Sequence, residues 1–290
     1  MNIAPLSLAA FAALLAAPVT AHAAESFDAC TATITVLPVT LDSGGRYCLR
    51  NDVSTPISSG TAIEVNANNV TLDCNGFKIG NLGAGTGTST TGVWSARTNT
   101  TVRNCNIRGF RAAIALEGGS GHVVEDNRID ASRFFGIAVT GSSVVRRNRI
   151  VDTGGSTSGS FSDAQAYGIL FSGSVEIEDN LIDGFVPPPG GSHFEPAGIS
   201  GEDEGFSRIA GNTIRNLVVI DENVDYATGI ETGGAGTLVA GNVIGGAGAE
   251  LGQGVSCFET GVTVVRDNAV SLFPVAIDTD CIFLHNDMLP

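Results

Sequence analysis

The chain has 290 residues, enough for one large domain or two ordinary ones, and 38 of them are glycine, which disfavours a helix-rich fold. Its 30 acidic side chains outnumber 15 basic ones and leave a net charge of −15. That balance argues against nucleic acid as a partner, because phosphate binding requires clustered Lys and Arg to release counterions.

The first element in chain order is the alanine- and leucine-rich run Met1 to Ala23, which ends in Ala21-His22-Ala23, a small-x-small cleavage pattern. It is read as an export signal, unusual in lacking Lys or Arg ahead of the apolar stretch. Secretion or a periplasmic location follows, with no membrane attachment after cleavage. Residues 24–60 are assigned to an N-terminal cap, where Cys30 and Cys48 bracket a short loop and are expected to pair. Cys74 and Cys105, and likewise Cys257 and Cys281, fall on neighbouring repeats, but strand pleat leaves their pairing open. No CxxC or Cys/His spacing indicates a metal.

From Thr61 onward the chain repeats itself. "VVEDNRI" at Val123 to Ile129 returns as "VVRRNRI" at Val144 to Ile150, and the same pattern carries Asn180, Asn212, Asn242, Asn268 and Asn286. Asn75, and Cys105 as a substitution, extend the column upstream to nine positions spaced 18 to 32 residues apart. A second unit precedes each: Ile63, Val93, Ile114, Ile137, Ile169, Ile199, Ile230, Val255 and Ile277 sit in short "G-I-x-V"-type strands. Strands this short cannot bury a face alone, whereas coiled into a solenoid they pair with the coils above and below. Residues 61–290 are therefore predicted as an all-β domain of about nine coils, a rod on the order of 40 Å long. At the bend the asparagine amide is expected to bond along the stack and to take the left-handed backbone conformation, with its variable neighbours in solvent.

The "VTLDCNG" opening, the "V-x-x-N-x-I" units and the glycine-led strands resemble the right-handed parallel β-helix repeat proteins of the pectin lyase-like superfamily, over about Thr61 to Asn286. Left-handed hexapeptide and leucine-rich solenoids fit less well, the coils being too long for the first and lacking the leucine pattern of the second. The resemblance implies a substrate groove on the "G-I-x-V" sheet, flanked by long loops. Here three long insertions fall on consecutive coils, at residues 151–167, 183–197 and 215–228, and are expected to wall one side.

Alternation sends each isoleucine inward and its successor outward, so the exposed column reads Glu64, Trp94, Ala115, Ala138, Leu170, Ser200, Glu231, Ser256 and Asp278, with Glu117, Glu202 and Asp280 two residues further on. These positions are acidic and include no Arg or Lys. A pectate-lyase-type reaction, which the resemblance would otherwise suggest, lacks its basic residue here, and the polygalacturonase-like motif set is absent. Glu202 and Glu231, on adjacent coils and offset by two positions, suit the roughly 5 to 9.5 Å carboxyl separations of glycosidases. Asp278 and Asp280 form a similar pair. Trp94, Tyr167, Phe194 and Tyr226 are candidates for stacking on sugar rings, and His193 lies in a long loop beside them. Acids from Glu202 to Glu204 and from Asp221, Glu222 and Asp225 offer hard oxygen ligands for calcium but no binding motif, so no cofactor is assigned. The expected protein is a monomeric, exported rod that acts on or binds extracellular polysaccharide or a cell-surface glycan, most plainly as a carboxylate-based glycoside hydrolase. A non-catalytic surface or envelope protein is the alternative, and a polysaccharide lyase the third reading.

Overall fold

The computed structural model describes residues 30–158, 165–202, 205–221, 225–234, 236–248, 251–258 and 262–289, Glu202 by its backbone alone. Residues 1–23, read above as an export signal, lie outside them. Three parallel sheets of 10, 11 and 10 strands run the length of the rod, and every described coil supplies one strand to each. The first sheet runs from Val39–Leu41 to Val275–Ile277, the second from Ala32–Ile34 to Ile282–Leu284, and the third from Val53–Ser54 to Asp287–Leu289. Residues 39–54, assigned above to a cap, already feed all three sheets. The stack therefore includes one coil more than the nine that start at Thr61.

Apolar side chains of matching type sit one above another. Ile63, Val93, Ile114 and Ile137 are register partners in the first sheet, and Ile107, Ile129 and Ile150 in the third, all fully buried. Period-two alternation thus delivers one aliphatic residue per strand to a continuous core, which a short strand alone could not shield. The leading glycine of "G-I-x-V" is a packing requirement. A Cβ on Gly168 would lie 2.5 Å from the Gly198 carbonyl oxygen and 2.7 Å from Ile182 Cγ2, so the bend from third to first sheet closes only over a bare Cα.

The asparagines form a hydrogen-bonded ladder at the bend from second to third sheet. Asn180 donates its backbone N–H and its Nδ2 to Asn212 Oδ1, both at 3.0 Å, and Nδ2 also reaches the Val145 carbonyl at 2.9 Å. The same pattern recurs from Asn127 to Asn286, and the Cys105 N–H donates to Asn127 Oδ1 at 3.0 Å where the ladder begins. The left-handed residue, however, is the one before each asparagine: Asn104, Asp126, Arg147, Asp179, Gly211, Gly241, Asp267 and His285 all have positive φ. The asparagine itself keeps its N–H aimed along the stack, which the left-handed conformation would turn away. Asn75 leaves the column as well. Six residues separate Leu72 from Lys78 where four separate their register partners Val102 and Asn106, so Asn75 takes φ +50° and caps the Leu49 carbonyl instead.

The neighbours of the ladder are not merely solvated. Asp73, Arg103, Glu125, Arg146 and Glu178 occupy one column of the second sheet, alternating in sign from strand to strand. Arg146 donates twice to Glu125 Oε2, at 2.8 and 2.9 Å, and Arg147 forks onto both oxygens of Asp126 at 2.8 Å. "ED" on one coil and "RR" on the next are thus partners. Disulfides join Cys30 to Cys48, Cys74 to Cys105 and Cys257 to Cys281. Three bridges suit an oxidising compartment. No helix among the described residues is long and apolar enough to cross a membrane.

Candidate functional site

The first sheet carries the outward column in the order that alternation dictates: Glu64, Trp94, Ala115, Ala138, Leu170, Ser200, Glu231 and Ser256 are successive register partners. Three residues toward the strand starts, Ala112, Phe135 and Tyr167 form a parallel column. Where the columns meet, Ala112, Ala115, Phe135 and Ala138 are buried beneath Trp94, Phe134, Tyr167 and Leu170. Alanine at three of these positions leaves a flat floor, and aromatic rings rise at its edges. Phe134 meets Tyr167 edge-on at 5.7 Å between centroids and Phe135 at 5.6 Å.

One cation reaches this floor that the strand alternation did not reveal. The Arg111 guanidinium lies 4.9 Å from the Phe134 ring centroid, and burial pushes its pKa down, with Glu117 opposing. Arg111 and Phe134 precede equivalent strands, and the Phe134 N–H donates to the Arg111 carbonyl. Extending the "AAIAL" and "FGIAV" alignment one residue toward the N-terminus would have stacked them.

Toward the C-terminal coils the floor becomes polar. Ser200 Oγ donates to Glu231 Oε2 at 2.8 Å. Tyr167 has its phenol pKa pushed up to about 12 by burial and then by Glu231 and Glu195, and its hydroxyl donates to Gln165 Oε1 at 2.7 Å. Burial, Asp278 and Glu231 raise Tyr226 too. Glu231 is thus half-buried near two phenols that stay protonated at neutral pH, where its carboxylate can accept hydrogen bonds from sugar hydroxyls. Glu202 pairs in register with Gly233, two residues past the Ser200–Glu231 pair, so its backbone holds the offset read from the sequence. Asp278 accepts Gln253 Nε2 at 3.1 Å and the Asp280 N–H at 3.2 Å, which makes it the stabilising acceptor of its own turn, while Asp280 is exposed.

The long insertions meet one another along the start of the first-sheet strands. Thr153 and Gly154 of the first pair with Phe185 and Val186 of the second, and Thr157 bonds to Thr86, in the loop of an earlier coil, through backbone and hydroxyl. Two loops are then clamped by His193 Nδ1 against Asp225 Oδ1 at 2.6 Å. Asp225 is fully buried, which alone would raise its pKa, but the N–H groups of Asp221, Ile220 and Phe194 and the His193 ring hold it below the usual carboxylate range. That commitment takes Asp225 out of the set considered for calcium; Asp203, Glu204 and Glu222 lie outside the described residues. No group of three or more metal-ligating side chains occurs among the described residues. Phe194, expected on the ligand side, is instead 2% exposed and packed in the core, because the apolar ring anchors its loop. Trp94, Tyr167 and Tyr226 remain half-exposed at the floor, and His193 at the wall is 49% exposed.

The family model "Right handed beta helix region" matches residues 50–214 and 91–271, together well over half of the chain. Among solved structures, one described as the crystal structure of Agl-KA catalytic domain is similar at 11% identity and a TM-score of 0.27, covering 85% of this chain and 62% of its own. The chain thus spans less than two thirds of that structure. No curated protein sequence matches.

Proposed function

The chain belongs to the right handed beta helix region family, and from that premise we propose that its first-sheet groove binds and hydrolyses an extracellular polysaccharide, with Glu231 and Glu202 as the carboxylate pair. The observation that carries this reading is the meeting of an alanine-floored aromatic platform with Glu231 on one continuous sheet face. Sugar rings present apolar faces and a rim of hydroxyls; the platform suits the faces, and Glu231, Ser200 and the two phenols suit the rim. Two strand residues and one strand spacing separate Glu202 from Glu231, about 8 Å between Cα atoms at ordinary sheet dimensions. Side chains leaning toward or away from each other from that base span the separations of both retaining and inverting glycosidases.

The test is release of reducing ends by the purified protein across neutral, acidic and amino polysaccharides, with and without calcium, beside an E202Q/E231Q double variant. Reducing ends that appear with the parent and fall at least about a thousandfold in the variant are the expected result. Unsaturated products would assign a lyase and a different base. Silence across the panel from a folded protein would leave a glycan-binding or structural rod at the same groove.

A further inference from the structure

A second concave site lies at a different corner. A cavity of about 720 Å³ opens over the bend between the second and third sheets, lined by Arg46, Arg103, Arg128, Arg147 and Arg149 against two acids, Asp73 and Asp126. Both acids are already engaged. Arg46 and Arg103 meet Asp73 Oδ2 at 2.7 and 2.9 Å, and Arg147 holds Asp126. Arg128 and Arg149 are different: they stack in register on adjacent strands, both are exposed, and neither makes an ion pair within 4 Å of an acid among the described residues, although Arg149 is near enough to Asp183 to help lower its pKa. Their column continues through Asn106 to Lys78 without an acidic member. A smaller cavity of about 250 Å³ shares Asn106 and Arg128; there Lys78 and Arg108 are matched by Asp52 and Asp130, so the unmatched cations are Arg128 and Arg149.

The contrast with the neighbouring column decides the interpretation. One bend away, cations alternate with acids, and each pairs across the strand gap. Here two arginines stand directly opposite on strands about 4.8 Å apart with no acid between them, an unfavourable like-charge pairing in a protein of net charge −15 that has acids to place. Such a pair is stabilised by an incoming anion.

We infer that this bend binds an acidic polysaccharide, its carboxylate or sulfate groups received by the Arg128 and Arg149 forks and its hydroxyls by the Asn104 and Asn106 amides. Guanidinium forks match both oxyanions bidentately. Two stacked cations on adjacent strands suit a polymer charged on successive residues. No aromatic side chain lines either cavity, so nucleobases would find nothing to stack on. The inference does not rest on the groove, which occupies another sheet.

Affinity electrophoresis and titration calorimetry at low salt test it, with polygalacturonate, heparin, dextran and duplex DNA as probes and with an R128Q/R149Q variant beside R266Q, an exposed arginine outside both sites. The expected result is binding of polygalacturonate, heparin or both, weakened at least about tenfold in R128Q/R149Q and weakened again by salt, with R266Q unchanged. The two acidic probes distinguish uronate from sulfate recognition. Because Arg128 and Arg149 are exposed and unpaired, the double variant should keep the parental melting temperature. Binding of neither acidic probe, equal binding by R128Q/R149Q, or tighter binding of DNA than of either glycan would overturn it.

Discussion

The groove of the first sheet and the bend between the second and third sheets are built on the same coils, yet they use their side chains in opposite ways. At the bend the side chains bond to one another from coil to coil, through the asparagine ladder and the alternating ion pairs. Across the groove they hardly do so: the Ser200–Glu231 hydrogen bond is a link across the strands of its floor, and the rest is alanine, aromatic ring and loop. In a solenoid each coil contacts only its neighbours, so stability must be renewed at every step. The bend renews it with an identical residue each time, which frees the groove to vary and to present unshared polar groups to a ligand.

That division predicts where substitutions register. The largest effect is expected from Asn180→Ala, which strands the Asn148 donors and the Val145 carbonyl in a buried site and should cost about 3–5 kcal/mol, read as a lowered denaturation midpoint. Ser200→Ala in the groove should change stability by less than about 1 kcal/mol; an equal loss at the two sites would break the comparison. Opening the Cys74–Cys105 bridge with paired serines comes next, at about 3 kcal/mol for a closed loop of this length, measured by thermal melting. Trp94→Ala should leave the melt nearly unchanged and weaken glycan binding about tenfold in calorimetry, which sharpens the assignment of the platform to ligand.

Acid provides a smaller effect at the bend. Burial alone would raise the Asp73 pKa, but hydrogen bonds from Arg46, the Asn75 N–H and Asn104 hold it below its ordinary value of 3.8. Its contribution is therefore fully present above the unfolded value and is lost as pH falls through the lower folded one. An R46Q/R103Q variant should flatten the stability profile below about pH 4 and leave it parallel to the parent at pH 7. Smallest of all is Arg147→Gln, an exposed pair with Asp126 that should cost about 0.5–1 kcal/mol and less at high salt.

Much of this was legible before any coordinates. Period-two alternation identified the inward isoleucines and the outward column from Glu64 to Ser256, because a strand leaves each side chain one of two faces. The recurring asparagine announced a ladder, since identical residues at a fixed step in a stack must meet. Less visible was anything that depends on loop path or on residues outside the strand frame. Phe194 resembled a ligand-facing ring and is core, and His193 is a clamp because the next loop brings Asp225 against it. Asn75 dropped out of its column through two extra residues that the pattern match absorbed.

The sequence by itself determined the repeat, the sheet faces and the acidic outward column, because each follows from local periodicity. Only the tertiary structure decided how charges from different coils meet. Register places Arg146 on Glu125 and Arg128 on Arg149, turning one string of mixed charges into a neutral ladder on one column and an unpaired cationic site on the next. Coulomb energy depends on distance across the stack, and that distance is set by coil length rather than by order along the chain.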